Sequence, residues 1–461
     1  MPPFPPTATA TSRSHLNDPS TPIGARFLQA RAALAPMCTG AISRVLGLRF
    51  DVDGLELPIG ATVHVRDEGI DLTGEVVAVG DGAVTCMPFG DVKGLRVGAR
   101  VVGSERPSTI GVGPQLLGRV IDAMGRPLDG DPISGLAEVS LDADAPHPLR
   151  RARIDTPMSL GVRAWDTLIP AGRGQRVGVF AGSGVGKSTL MGMIARNTAA
   201  DVNVVALIGE RGREVREFVE NDLGPEGLAR SVLVVATSDA PALVRFRAAF
   251  VATRIAEYFR DLGNDVVLMM DSLTRFCMAQ REIGLSAGEP PTSRGYPPSV
   301  FSLLPKLLER AGAAEVGSIT GLYTVLVDGD DNNEPISDAA RSILDGHVVL
   351  SRKLAHANHY PAIDVLSSVS RVSGAVTTPE QRALMNELRR LMAADAEARD
   401  LIEIGAYVPG TNPVVDRAVS LREPIRDFLC QDVDDRWESA SSFLRLGDLL
   451  AGGTLVGGAR S

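Results

Sequence analysis

The sequence predicts an α/β protein in three parts: a small N-terminal β-barrel, a doubly wound core with a parallel sheet, and a C-terminal helical domain. Three observations predict it. Short alternating strands punctuated by glycine fill residues 39–112. Buried apolar strands then alternate with helical stretches from Gln175 to about residue 375. Beyond that point strands stop and helical periodicity takes over. A chain of 461 residues also exceeds what one core normally fills, so several domains are expected.

Residues 1–38 form the first segment. The opening 22 are proline- and threonine-rich, lack a hydrophobic signal core and read as a disordered tail. In IGARFLQARAALAPM, Ile23, Phe27, Ala30 and Leu34 fall on one side of a short helix, which either packs on the next domain or docks a partner. Residues 39–112 follow as the barrel. ATVHV places Val63 and Val65 on one face, and GEVVAVGDGAVTCMPF reads as a hairpin turning at Gly80-Asp81-Gly82. His64 stands alone and reads as a surface strand residue.

Residues 113–375 comprise a linker and the core. LLGRVIDAMGRPLDG and a proline-spotted stretch to Arg150–Arg153 read as connection. NVVALIG, SVLVVA, DVVLMMD and GSITGLYTVLV read as buried parallel strands, and Leu243, Phe246, Phe250, Ile255, Phe259 and Leu262 as a helix face packed on the sheet. The core is organised around QRVGVFAGSGVGKSTLMGMIARNTAA, which begins at Gln175: strand, glycine turn, helix. Gly182, Gly184 and Gly186, with Ser183 and Val185 between them, let backbone N–H groups turn inward on a triphosphate through positive φ. The helix starting near Lys187 adds its positive end; Lys187 reaches the β- and γ-phosphates, the Ser188 hydroxyl ligates Mg²⁺, and Thr189 continues the nucleotide-binding run. Ala181 stands where the strict motif has its first glycine, at a strand end that accommodates alanine.

Residues 376–461 are the helical domain and tail. Thr378-Pro379-Glu380-Gln381 supplies an N-cap, a first-turn proline and a capping-box glutamine. A helix runs from there through Leu384, Leu388, Leu391 and Leu401; a second stretch from Pro413 is interrupted by Pro424, and a glycine-rich tail ends the chain.

Composition excludes several functions. Net charge is −9 with no long basic block, and aromatics are 4%, which argues against a nucleic-acid coat or a base-stacking platform. No apolar run approaches the roughly 20 residues that span a bilayer. Cys38, Cys86, Cys277 and Cys430 have no metal-type spacing and read as reduced thiols of a cytoplasmic protein.

A phosphate loop binds nucleotide; hydrolysis needs more. Asp271 ends the apolar strand DVVLMMD, the position that holds Mg²⁺, through water, in such folds. Glu210, at the end of the strand running into GERGRE, can orient the attacking water.

Together these residues resemble a family. PAIDVLSSVS (361–370), GERGRE, MMDSLTRF and GEPPTSRGYPPSVF are similar to the α/β subunits of rotary ATPases, and VLVDGDDNNEPISDAARSILDGHVVLSR (325–352) resembles the export ATPases of flagella and type III secretion systems. The resemblance covers about residues 39–435. It implies a P-loop NTPase (RecA-like) core, a homohexameric ring and ATP hydrolysis with Mg²⁺. It makes Glu210 the catalytic carboxylate, Arg211 its neighbour at the phosphates, Lys187 the phosphate grip and Asp271 the metal-side acid. By position it sets Tyr360 against adenine and makes Arg371 an arginine finger for a neighbouring subunit, worth about 10³–10⁵ in rate. It also implies a stator-like regulator on the N-terminal segment, and a central stalk, export gate and chaperone–substrate complexes on the C-terminal domain. The expected location is cytoplasmic, peripheral to the inner membrane face.

Glu210 and Arg371 on one chain favour a homohexamer of an export apparatus, read as flagellar from CMAQREIGLSAGEPPTSRGYPPSVF and GSITGLYTVLVDGDDNNEP. Alternatives are a virulence-type secretion ATPase, a catalytic subunit of a proton-translocating rotary ATPase, an RNA translocase ring, and a nucleotide-binding subunit without turnover. If the N-terminal segment docks a regulator, deleting residues 1–37 leaves basal hydrolysis intact and abolishes capture of that regulator in a pull-down. Loss of barrel folding in the truncated chain would instead assign Phe27 and Leu34 to packing.

Overall fold

The computed structural model describes residues 37–67, 69–80, 82–105, 108–327 and 334–452. The expected tail and, apart from Met37, the expected helix over 23–37 lie outside the described residues. The chain divides after Ser108 into two compact units.

In the first unit β1 (Cys38–Leu46), β2 (Arg49–Asp53), β3 (Thr62–Asp67), β4 (Ile70–Gly80), β5 (Ala83–Pro88) and β6 (Arg100–Gly103) close into a barrel ordered β1-β2-β5-β4-β3-β6. Closure removes the free edges that a short sheet would expose. The period-2 alternation sends Phe50, Val52, Val63, Val65, Val76 and Val101 into the interior. His64, between two inward valines, pairs instead with the Thr73 hydroxyl across the β3–β4 hairpin at 3.2 Å. Burial pushes the Cys86 thiol up to about 12, so it stays a small apolar group. All four cysteines are free.

The second unit is built on a nine-stranded sheet. Its main path runs Ile363–Ser370, Gly346–Leu350, Arg176–Ala181, Ser318–Leu326, Asp265–Asp271, Val202–Glu210, Ser231–Thr237 and Arg119–Asp122, with Gly312–Ala313 pairing off the path. Every neighbouring pair along the main path is parallel except the first, where Ile363–Ser370 runs antiparallel as an edge strand. Residues 119–122, which the sequence reads as linker, therefore belong to the sheet. Their VID run is too short to stand out from a connection. Thr109–Val112 pairs with Ala137–Ser140 in this same unit.

Both faces of the sheet are covered, as an all-apolar parallel sheet requires. One face packs on Trp165, the helix Lys187–Asn197 and the C-terminal helices through Leu388, Leu391, Phe428 and Leu446. The other carries Ala242–Asp261, Leu273–Ala287 and Pro298–Leu308. Leu243, Ile255 and Phe259 are buried there, and Phe246 stacks on Phe276 at 5.3 Å. Leu262 corrects the expected pattern: it is the C-cap beyond the last turn and is 61% exposed.

Pro379–Glu403 starts on the expected capping box, with Thr378 and Gln381 bonding reciprocally. The second helical stretch breaks at Leu421, not at Pro424, giving Pro413–Ser420 and Arg422–Leu429. Pro424 lies in the first turn, where its missing N–H leaves no bond unmade. A further helix, Ser439–Leu450, buries Phe443, Leu446 and Leu449 and was not anticipated. Among the described residues no helix is long and apolar enough to cross a membrane.

Under the sheet, Arg310 bonds both carboxylate oxygens of Glu257, at 2.7 and 2.8 Å, with the two side chains nearly fully buried. Removing one member of such a pair strands the other charge. Glu257→Ala should therefore cost roughly 3–5 kcal/mol of stability in denaturant unfolding. A loss below about 1 kcal/mol would mean that the pair is solvated.

Candidate active site

Four strand ends build the site. Ala181, fully buried, ends Arg176–Ala181, and the chain then turns through Gly182–Gly186 into the helix Lys187–Asn197. Gly184 (φ +77) and Gly186 (φ +87) hold left-handed backbone that other residues resist. Gly182 corrects the expectation for all three glycines: its φ is not positive. A Cβ there would lie 2.8 Å from Arg352 Nη2, the far end of a flexible side chain that can shift to make room. Val185 is buried, whereas Ser183, Gly184 and Ser188 are exposed at the mouth and Thr189 is half-buried in the first helical turn.

Lys187 points at the ends of two further strands. Its Nζ lies 2.5 Å from Asp271 Oδ1 and 3.6 Å from Glu210 Oε1. Asp271 ends Asp265–Asp271 and is 5% exposed. It also accepts from the Thr324 hydroxyl at 2.7 Å, from the strand lying between it and the phosphate-loop strand. Glu210 ends Val202–Glu210 beyond a bulge: Gly209 takes φ +71, and the register with Ser231–Thr237 shifts between Ile208 and Glu210. Such a bulge re-aims the next side chain. The peptide bonds Asp271–Ser272 and Tyr360–Pro361 are both cis.

Charge is closely balanced here. Burial alone would lower the Lys187 pKa, but Asp271 and Glu210 outweigh it and hold the ammonium above its ordinary value. Burial raises Glu210 to about 7, the negative charge of Asp271 adds to this, and Lys187 opposes it.

The remaining expected residues separate into two groups. Tyr360 reaches the loop: a Cβ on Gly186 would lie 3.3 Å from Tyr360 Cε1, and the residue is 41% exposed. Arg211 is exposed and approaches Glu214 at 3.5 Å; its described contacts lie outside the Lys187 cluster. Arg371 sits at the opposite end of the sheet. It donates to the Arg341 carbonyl at 3.0 Å, and its N–H bonds the Asp345 carbonyl, while the Asp345 carboxylate holds Arg176 at the start of the phosphate-loop strand. The five residue steps from Arg176 to Ala181 span roughly 17 Å of strand. Arg371 is therefore not part of its own chain's phosphate site.

Thr324, Arg275 and Arg352 were not singled out in the sequence. The Arg275 side chain lies against Gly209 (3.0 Å from a Cβ there), and its Nε is buried with no hydrogen-bond partner in the structure. Its signal was its place in MMDSLTRF. Thr324 gave none, because a β-branched residue inside a strand reads as packing. Among the described residues no group of three or more His, Cys, Asp or Glu side chains could hold a metal. The Ser188 hydroxyl and Asp271 carboxylate are nonetheless hard oxygen donors of the kind Mg²⁺ takes when phosphates complete its shell.

Comparison with known proteins places this arrangement among relatives. Residues 42–104 match the β-barrel domain of the ATP synthase alpha/beta family, and residues 161–370 match that family's nucleotide-binding domain. Residues 377–448 match the T3SS EscN ATPase C-terminal domain. The flagellum-specific ATP synthase of Bacillus subtilis (strain 168) is 50% identical over 400 residues, covering 86% of this chain and 91% of that protein. The type 3 secretion system ATPase of Xanthomonas euvesicatoria is 52% identical over 398 residues, covering 86% and 90%. The assembled ATPase EscN of the enteropathogenic E. coli type III secretion system superposes with a TM-score of 0.84 at 47% identity, over 89% of this chain and 100% of that one.

Titration of Glu210 in the nucleotide-free protein, followed by carboxyl NMR, should give a midpoint near 7. Asp271→Asn removes the repelling charge and frees Lys187, so the midpoint should fall. A wild-type midpoint at the ordinary 4.5 would contradict the buried cluster.

Proposed function

We propose, since the chain belongs to the family of flagellum-specific ATP synthases and type 3 secretion system ATPases, that it drives protein export as a homohexameric ring whose ATP sites are completed between neighbouring copies. The chain is an ATP hydrolase; its assembly, its residue roles and the kind of export apparatus it serves are the proposal. The observation that carries it is the edge strand Ile363–Ser370. Running antiparallel, it starts just after Tyr360, beside the chain's own phosphate loop, and ends just before Arg371, at the far end of the sheet. A guanidinium held there is of use only to another copy's phosphates.

In this reading ATP lies on the loop 182–186 with its base against Tyr360. The phosphates take over the Lys187 ammonium, which otherwise rests between Asp271 and Glu210. Ser188 and, through water, Asp271 would hold Mg²⁺, whose charge offsets that of the phosphates. Glu210, freed from Lys187, accepts a hydrogen bond from the attacking water and aligns it with the γ-phosphorus. Arg371 of a neighbouring copy supplies a fixed positive charge where negative charge develops. Arg211, exposed beside Glu210 in sequence, is proposed to swing to the phosphates once nucleotide is bound.

The export reading rests on the C-terminal domain model and on the EscN likeness. These favour a secretion-type apparatus over the flagellar reading from sequence. A flagellar role is the second reading, carried by the Bacillus relative at nearly equal identity. By the same likeness, the C-terminal helices are the face offered to a central stalk, as EscN is seen with EscO. Chaperone–substrate complexes, an export gate and peripheral attachment at the membrane belong to this proposal. Deletion of the gene decides between the two: loss of effector secretion with intact filaments supports the first reading, and loss of filaments the second.

Lys187→Ala should lose nucleotide affinity, whereas Glu210→Gln should bind ATP normally and lose turnover by about 10²–10⁴-fold. Near-normal hydrolysis by the Gln variant would remove Glu210 from its role. Arg371→Ala and Glu210→Gln should each form poorly active rings. Co-expressed at equal amounts, they should regain activity, since roughly a quarter of randomly mixed interfaces carry both wild-type groups. Mixed rings as inactive as either parent would argue against a shared site.

A further inference from the structure

One buried side chain joins the helical domain to both walls of the candidate site. Gln431, 6% exposed, follows the helix Arg422–Leu429 and spends every hydrogen-bonding atom of its amide. Its Oε1 accepts from the Arg163 N–H at 2.8 Å, and its Nε2 donates to the carbonyls of Gly161 at 2.9 Å and Asp435 at 3.1 Å. Its backbone N–H donates to the Tyr360 carbonyl at 2.9 Å. Gly161 in turn packs on the last residue of the phosphate-loop helix: a Cβ there would lie 2.2 Å from the Asn197 Cβ. Arg163 fastens the same stretch from the other side, bonding the carbonyls of Phe428, Asp427 and Cys430 with its guanidinium 4.6 Å from the Trp437 ring centre.

We propose that Gln431 is a positioning residue for base recognition: it fixes Tyr360 over the phosphate loop, so that the helical domain sets affinity for the nucleotide base without touching the phosphates. The inference rests on the reading of Tyr360 as the base-stacking residue. The tyrosine is half-exposed and has no described hydrogen bond from its hydroxyl, so its position over Gly186 depends on its backbone. That backbone is held by Gln431. The Gln431 N–H reaches the Tyr360 carbonyl directly, whereas none of the hydrogen bonds described for Gln431 goes to residues 182–188.

The test compares ATP with inorganic tripolyphosphate, a phosphate-only probe, by calorimetry on the full chain. Tyr360→Ala should weaken ATP binding on the order of 10-fold, the usual size of a lost stacking partner, and leave tripolyphosphate within about a factor of two. Gln431→Ala should show the same split, and the double variant should bind ATP no worse than Tyr360→Ala alone. Gln431→Glu, which keeps the acceptor and loses both donors, serves the same comparison if the alanine variant does not fold. Equal losses for ATP and tripolyphosphate in the Gln431 variants, or losses that add to that of Tyr360→Ala, would overturn the inference while the role of Tyr360 stands. An unchanged ATP affinity in Tyr360→Ala would overturn the base-stacking reading itself.

Discussion

The site depends on one buried ammonium. Lys187 sits on the first turn of a helix whose dipole already makes that end positive, and it is nearly enclosed by protein. An unpaired cation there would be costly, so two carboxylates from two other strands meet it. That requirement fixes much else. Asp271 and Glu210 must end their strands at the same level as the loop, and Thr324 holds Asp271 from the strand between. The bulge at Gly209 turns Glu210 inward. Lys187 is thus paired with two carboxylates, and in the proposed reading the ATP phosphates replace them as its partners.

With three charged groups satisfying each other, the site lacks one thing phosphoryl transfer uses: a further fixed cation at the developing charge. The chain places that candidate, Arg371, where its own site cannot use it. The antiparallel edge strand is the reason. A parallel strand in that place would carry Tyr360 and Arg371 to the opposite ends from those observed. In the proposed reading, the direction of this one strand joins catalysis to assembly.

Much of this was legible in the sequence, because strand-ending residues beside apolar runs reveal themselves locally. Ala181, Glu210 and Asp271 each follow an unbroken apolar run, and the glycine loop follows the first of these runs directly. The capping box at Thr378 was equally local. Tyr360 and Arg371 were legible only through resemblance, since a tyrosine before proline and an arginine after a strand are ordinary in isolation. Gln431 and Arg163 were not legible. They meet across 268 positions, and nothing near either residue announces the other. Arg119–Asp122 was missed for a related reason: a short strand joins a sheet through partners far along the chain, here Ser231–Thr237. Leu262 misled because helical periodicity continues one residue past the point where the helix ends.

Completion of each ATP site by a second copy can be read out by dilution. Specific ATPase activity would be measured across a concentration series in which mass photometry follows the ring and the single chain in the same samples. Activity per chain should fall in step with the loss of rings, with ATP binding to the single chain retained. Constant activity per chain after the rings have dissociated would contradict completion of the site by a second copy.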